Sequence, residues 1–222
     1  MKTLTKSVLL TFMLVFTLAC SQGKKEETTE MASQETVAEA PAAVLNANLA
    51  SEEELKGLGL SDEMVGQIVE ARPFMTLNDF VSVIGDDNAT EEMFSKIFVP
   101  MNLNITAEED FKIIPGVGDR MAHEFEEYRP YTSIEQFRRE IGKYVDEEEV
   151  ARYESYVFVP AELNTASEET IKALPGVGSK MVHEFEEYRP YDDMDRFYQE
   201  IGKYVDDKEL ERLARLVYIA DN

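Results

Sequence analysis

From Ile171 to the end of the chain, apolar residues recur at helical rather than strand spacing. Ile171 and Leu174 give one short apolar face. Met181, Val182, Phe185 and Tyr188 give a second, Met194, Phe197 and Ile201 a third, and Leu210, Leu213 and Leu216-Val217 a fourth. The polar positions between them mark the ends. Ser167 followed by Glu168-Glu169 predicts an N-cap with acid in the first turn. Pro175-Gly176-Val177-Gly178 predicts a tight turn, Pro190 a helix end, Asp192 or Asp193 a cap and Asp206 another. The pattern predicts four short helices arranged as two hairpins.

The same pattern recurs earlier in the chain. Leu103-Asn104 returns as Leu163-Asn164, and Ile114-Pro115-Gly116-Val117-Gly118 as Leu174-Pro175-Gly176-Val177-Gly178. The run His123 to Tyr131 returns unchanged from His183 to Tyr191, and Ile141 to Asp146 from Ile201 to Asp206. A weaker copy precedes these, with Asn48 matching Asn104 and Arg72-Pro73-Phe74 matching Arg129-Pro130-Tyr131. Its hairpin, Leu58-Gly59-Leu60-Ser61, lacks the proline and the second glycine. Repetition at this period implies small helical units that pack on one another, because units this short are marginal alone. The expected fold is all-α, with three tandem four-helix units at 45–100, 101–160 and 161–222.

The N-terminal region reads differently. Lys2 and Lys6 precede a nearly uninterrupted apolar run from Val8 to Leu18, long enough for a signal peptide and too short to span a bilayer. The sequence Thr17-Leu18-Ala19-Cys20-Ser21 resembles the lipobox of bacterial lipoproteins, in which the cysteine becomes the lipidated first residue. This resemblance implies a signal peptide at 1–19, lipidation of Cys20, and a protein anchored in the bacterial cell envelope, at the outer membrane. Cys20 is the single cysteine, so no internal disulfide is available. Residues 20–44 are rich in Glu, Thr, Ala, Ser and Gln and hold no aromatic residue, so they are expected to form a disordered tether. As a flexible coil, these residues would reach on the order of 25–30 Å.

The run from Leu163 to Lys180 resembles the ComEA-like helix-hairpin-helix family, and the resemblance extends from about residue 45 to the end as three copies, the first degenerate. That likeness implies sequence-nonspecific binding of double-stranded DNA through its backbone. Carried over by position, Gly116, Val117 and Gly118 with Arg120 would hold one phosphate, and Gly176, Val177 and Gly178 with Lys180 another. Glycines admit a close approach, helix N-terminal N–H groups face a phosphate oxygen, and a nearby cation adds charge. Family hairpins can also hold a monovalent cation on backbone carbonyls. The second hairpin of each unit has one glycine, Gly142 or Gly202, where the family often has two.

Charge opposes this function. The chain carries a formal charge of −23. Residues 101–160 hold 14 acids against 7 bases, and residues 161–222 hold 15 against 8. Glu124, Glu126, Glu127 and their counterparts Glu184, Glu186 and Glu187 follow each good hairpin within a Debye length of ~8 Å. Two basic residues neutralise few phosphates, and neutralised phosphates supply most of such affinity. Two readings therefore stay open, a DNA-holding module and a protein-binding spacer in the envelope. Arg120, Lys143, Lys180 and Lys203 on one surface would favour DNA. The same residues each held by a carboxylate would favour a protein partner.

The remaining polar clusters have structural explanations. His123 and His183 sit alone on separate repeats and are expected to be ordinary helix-surface residues. Arg129 and Arg189 are expected to pair with carboxylates and cover rings, and Tyr128, Tyr131, Tyr188 and Tyr191 to pack at helix ends. Asp146 to Glu149 reads as an acidic first helical turn rather than a calcium loop. No nucleophile–base pair, metal-ligand set or nucleotide-binding loop is present in the sequence, so the chain is expected not to be an enzyme and to need no cofactor.

Overall fold

The computed structural model describes residues 43–220. Cys20, the expected signal peptide and nearly all of the expected tether lie outside the described residues. The body they leave is mostly helical and is built from three segments of like design within one compact unit. The first segment holds α1 (Glu52–Gly57), α2 (Asp62–Ala71), α3 (Leu77–Ile84) and α4 (Glu91–Phe94). The second holds α5 (Glu108–Phe111), α6 (Asp119–Glu127), α7 (Ile134–Ile141) and α8 (Glu147–Glu154). The third holds α9 (Glu168–Lys172), α10 (Ser179–Glu187), α11 (Met194–Ile201) and α12 (Asp207–Ala214).

The helix starts follow local chemistry. Ser167 accepts a hydrogen bond from the N–H of Thr170, Asp193 from Arg196 and Asp206 from Glu209, so each cap satisfies a first-turn donor. Asp146 does the same for α8, whose first turn carries Glu147, Glu148 and Glu149 against the helix dipole.

Among the described residues, six two-residue strands add to the helices. β1 (Leu45–Asn46) pairs in parallel with β2 (Ile97–Phe98), β3 (Met101–Asn102) with β4 (Val157–Phe158), and β5 (Ala161–Glu162) with β6 (Val217–Tyr218). Each pair ties the beginning of a segment to its end. The Phe98-Val99-Pro100 junction thus closes the first segment and opens the second.

Two polar braces recur in every segment. Asn48, Asn104 and Asn164 each donate to the backbone carbonyl of Phe74, Tyr131 or Tyr191 and accept from the same residue's N–H. Arg72 donates to the carbonyls of Ala47 and Ala50, Arg129 to those of Leu103 and Thr106, and Arg189 to those of Leu163 and Ala166. The braces fasten the loop after the second helix onto the loop before the first, two loops some 25 residues apart in sequence. Arg129 also lies over Phe111 and within 3.5 Å of Glu126, the ring and carboxylate partners expected of it.

The cores are aromatic. Phe125 meets Phe111, Phe137 and Tyr153 edge-to-face with centroids 5.2–5.3 Å apart. Phe98 packs on Tyr156 at 4.9 Å, so the first two segments share one core, while the third builds its own around Phe185 and Phe197. Tyr131 and Tyr191 are buried, as expected of residues packing at helix ends. The third segment also touches the first. Lys208 donates to the Glu70 carbonyl at 2.7 Å, and Arg215 donates to the Pro100 carbonyl.

Candidate functional site

In the second segment the turn between α5 and α6 is closed by the N–H of Val117 donating to the Ile114 carbonyl at 2.9 Å. Gly116 takes φ +78°, a left-handed conformation that side-chain-bearing residues rarely adopt. The third segment repeats this, with Val177 donating to Leu174 at 3.1 Å and Gly176 at φ +71°. Gly118 and Gly178 then serve as N-caps with no side chain to accept a hydrogen bond. The first-turn N–H groups of α6 and α10 are therefore left without a protein acceptor among the described residues. In the first segment Ser61 occupies this place and accepts from Met64. The hairpins of the second and third segments thus present uncapped, positive helix ends, and that of the first does not. A Cβ added at Gly118 or Gly178 would meet nothing within 4 Å, so both ends are open to a ligand.

The valines serve another purpose. Val117 and Val177 are buried at 5% exposure, and their N–H groups are spent within the turn. They anchor the hairpin to the core. The donors that remain belong to Gly118, Gly178 and the first helical turns.

Arg120 and Lys180 lie in those first turns, and neither has a carboxylate within ion-pair distance among the described residues. Arg120 sits over the Tyr144 ring at 5.6 Å and Lys180 over Tyr204 at 5.9 Å. The Tyr144 hydroxyl meets that of Tyr128 at 2.7 Å, and Lys143 lies over the Tyr128 ring at 4.8 Å. Tyr204, Tyr188 and Lys203 repeat the arrangement. The hydrogen bond to Tyr128, and then that to Glu124, push the Tyr144 hydroxyl well above the usual tyrosine range. Arg120 and Lys143 therefore share one cluster, as do Lys180 and Lys203. Lys143 and Lys203 are nonetheless paired with Glu140 and Glu200.

Glu124 and Glu184 are not surface acids. They are buried at 9% and 6% exposure, beneath Tyr144 and Tyr204, each with one carboxylate oxygen that has no hydrogen-bond partner.

The two hairpins differ at the first helical residue. Asp119 binds the Lys112 ammonium at 2.6 Å, and Glu109 holds the same ammonium at 2.9 Å. These two bonds raise the Lys112 pKa. In the third segment Ser179 replaces Asp119, and Lys172, the counterpart of Lys112, has no ion-pair partner among the described residues. In the sequence, only its repeat alignment with Lys112 marks Lys172.

An arginine backs each hairpin. Arg212, 4% exposed, is held by Glu209 and donates to the Pro175 carbonyl at 2.7 Å and that of Gly176 at 3.4 Å. An internal guanidinium thus occupies the Pro175 and Gly176 carbonyls of the third hairpin. Arg152 is held by Glu149 in the same way and stacks on Tyr153 and Tyr156, with no bond to the hairpin carbonyls.

No family model, no curated protein and no solved structure matches the chain. The hairpin geometry must stand by itself. His123 and His183 are exposed, on the helix surface as expected, with Glu108 3.2 Å from His123 and Glu187 3.4 Å from His183. Among the described residues no group of three metal-ligating side chains converges.

Proposed function

We propose that the protein is a non-enzymatic binding module that holds the backbone of double-stranded DNA on the hairpins of its second and third helix-hairpin-helix segments. In this reading Cys20 carries the lipid that tethers the module to the bacterial envelope. The observation that carries the proposal is the duplicated, glycine-capped helix N-terminus with an unpaired cation, Arg120 or Lys180, in its first turn. Free N–H donors and a positive helix end suit a phosphate oxygen, and they read no base.

The third segment is the stronger half, because Ser179 leaves its helix end free of the carboxylate that Asp119 places in the second. Binding through so few cations is weak at physiological salt and strengthens as salt falls. The test is anisotropy of a labelled duplex titrated with residues 40–222, which form one compact unit, across a salt series. Saturable binding that weakens with salt and is lost in Arg120→Glu with Lys180→Glu supports the reading. No binding even at low salt would remove it.

A second reading has its own observation. Lys143 and Lys203 are neutralised by Glu140 and Glu200, which is the arrangement expected of an envelope scaffold that meets a protein. Capture of an envelope protein by a chain that fails to bind DNA would favour it.

A further inference from the structure

A cleft of about 570 Å³ lies where the three segments meet, far from the hairpin cations in its chemistry. The apolar side chains of Met75, Leu77, Met101, Ile105 and Ile113 form the larger part of its walls, with Asn78, Asn102 and Thr106 among them. Three of these are left partly open to water, Ile105 at 79% exposure, Met75 at 42% and Ile113 at 38%. Exposed apolar side chains gathered at a concave site, rather than scattered, mark a binding surface. The volume falls within the ~300–1,000 Å³ typical of small-molecule sites.

The cleft also contains one cation without a counter-charge. Arg215 lines it, lies over the Phe158 ring at 5.0 Å and donates to the Pro100 carbonyl. No carboxylate comes within ion-pair distance of it among the described residues. Asp79, the acid whose field reaches it, is committed to capping α3, where it accepts from the N–H groups of Met75 and Thr76. Burial, with the neighbouring Arg212 charge, lowers the Arg215 pKa to about 10, so it remains cationic at neutral pH. A partly buried guanidinium with one carbonyl partner has unused donors, and an incoming anion would satisfy them. Asp110 is the one carboxylate along the lining, and it is exposed to water.

An extended peptide would need backbone partners, and the floor offers few. Pro100 has no N–H, Met101 and Leu103 already donate to Tyr156 and Phe158, and the Thr106 carbonyl is taken by Arg129. The walls suit a ligand that is apolar along its length and charged at one end.

We propose that this cleft binds a single-chain carboxylate amphiphile, a fatty acid anion, with its head group on Arg215 and its chain along Met75, Met101, Ile105 and Ile113. The site is independent of the DNA reading and uses none of its residues. The test is displacement of the fluorescent fatty acid cis-parinarate from residues 40–222 by palmitate and by methyl palmitate. The expected result is saturable 1:1 displacement by palmitate, with the ester at least about tenfold weaker, the worth of one charge-assisted contact. Arg215→Gln should weaken palmitate by a similar factor and leave the ester unchanged. Ile105→Asp, at a position exposed enough to preserve folding, should weaken both ligands while the helical circular dichroism is retained. Equal affinity for acid and ester, or no saturable displacement, would overturn the proposal. So would displacement by a peptide with a free C-terminal carboxylate but not by palmitate, or a dimer that Ile105→Asp dissociates.

Discussion

Arg212→Met offers a measurement the structure scales internally, because Arg152 is the same residue in the second segment with fewer partners. Arg212 is 4% exposed and gives up a 2.7 Å bond to the Pro175 carbonyl, a weaker one to Gly176 and a two-pronged pair with Glu209. A lost bond involving a charged donor is worth about 1.5–3 kcal/mol, and a buried carbonyl is left unpaired. Glu209 retains 37% side-chain exposure, so water takes over its charge and the full penalty of an orphaned buried ion does not apply. Together these give a cost of about 2–4 kcal/mol for Arg212→Met. Arg152→Met loses its pair with Glu149 and its stacking on Tyr153 and Tyr156 at a more exposed site, for about 0.5–1.5 kcal/mol. Urea unfolding followed by circular dichroism reads both. With a slope near 2 kcal/mol per molar, the Arg212 midpoint should fall by roughly 1–2 M and the Arg152 midpoint by less than about 0.8 M. Equal shifts, or a neutral Arg212→Met, would refute the claim that the guanidinium holds the third hairpin in shape.

Two further predictions concern charge at the helix ends. Asp119→Ser should make the second hairpin resemble the third, tightening duplex binding severalfold as a carboxylate leaves the helix end while Glu109 keeps hold of Lys112; Ser179→Asp should do the reverse, and anisotropy on both variants decides it. The pair with Glu108 raises the His123 pKa above 6.5, so any stability from that pair is complete below the free-histidine value and disappears as pH rises through the raised one. An NMR titration of the His123 ring should show a midpoint above 6.5 that falls in Glu108→Gln, and an unchanged midpoint would exclude the contact.

Helices and repeats were legible because their signals are local or self-repeating. Ser167 and Asp206 cap where a cap was expected, and Gly116 and Gly176 take the positive φ that only glycine adopts freely. The strand pairs were not legible: Leu45 meets Ile97 across most of a segment, and two residues cannot display an alternating pattern. The polar interior was missed for a related reason. Asn104 and Arg129 stood out as repeated residues, but their partners are backbone carbonyls and amides, which leave no mark in the sequence. In the sequence Glu124 reads as a surface acid, because its neighbours Glu126 and Glu127 are acidic. Its burial depends on Tyr144 folding over it from the next hairpin, a contact set by tertiary packing. Lys172 differs from Lys112 in lacking both carboxylate contacts, one because Ser179 stands for Asp119 and the other because Glu169 does not reach it, so the contrast appears once the Lys112 bonds are seen.

The parallel strand pairs have a consequence for how such a chain can grow. Each segment enters and leaves at adjacent points, since Met101 lies beside Val157 and Ala161 beside Val217. A gene duplication that copies one segment therefore inserts a closed cassette whose two ends already meet, and the flanking chain need not be rerouted. Load passing from the N-terminal end toward the C-terminal end would likewise run through the junctions at Val99-Pro100 and Val159-Pro160 and across the short ladders beside them. The helices would hang as side loops, shielded from tension until a ladder opens.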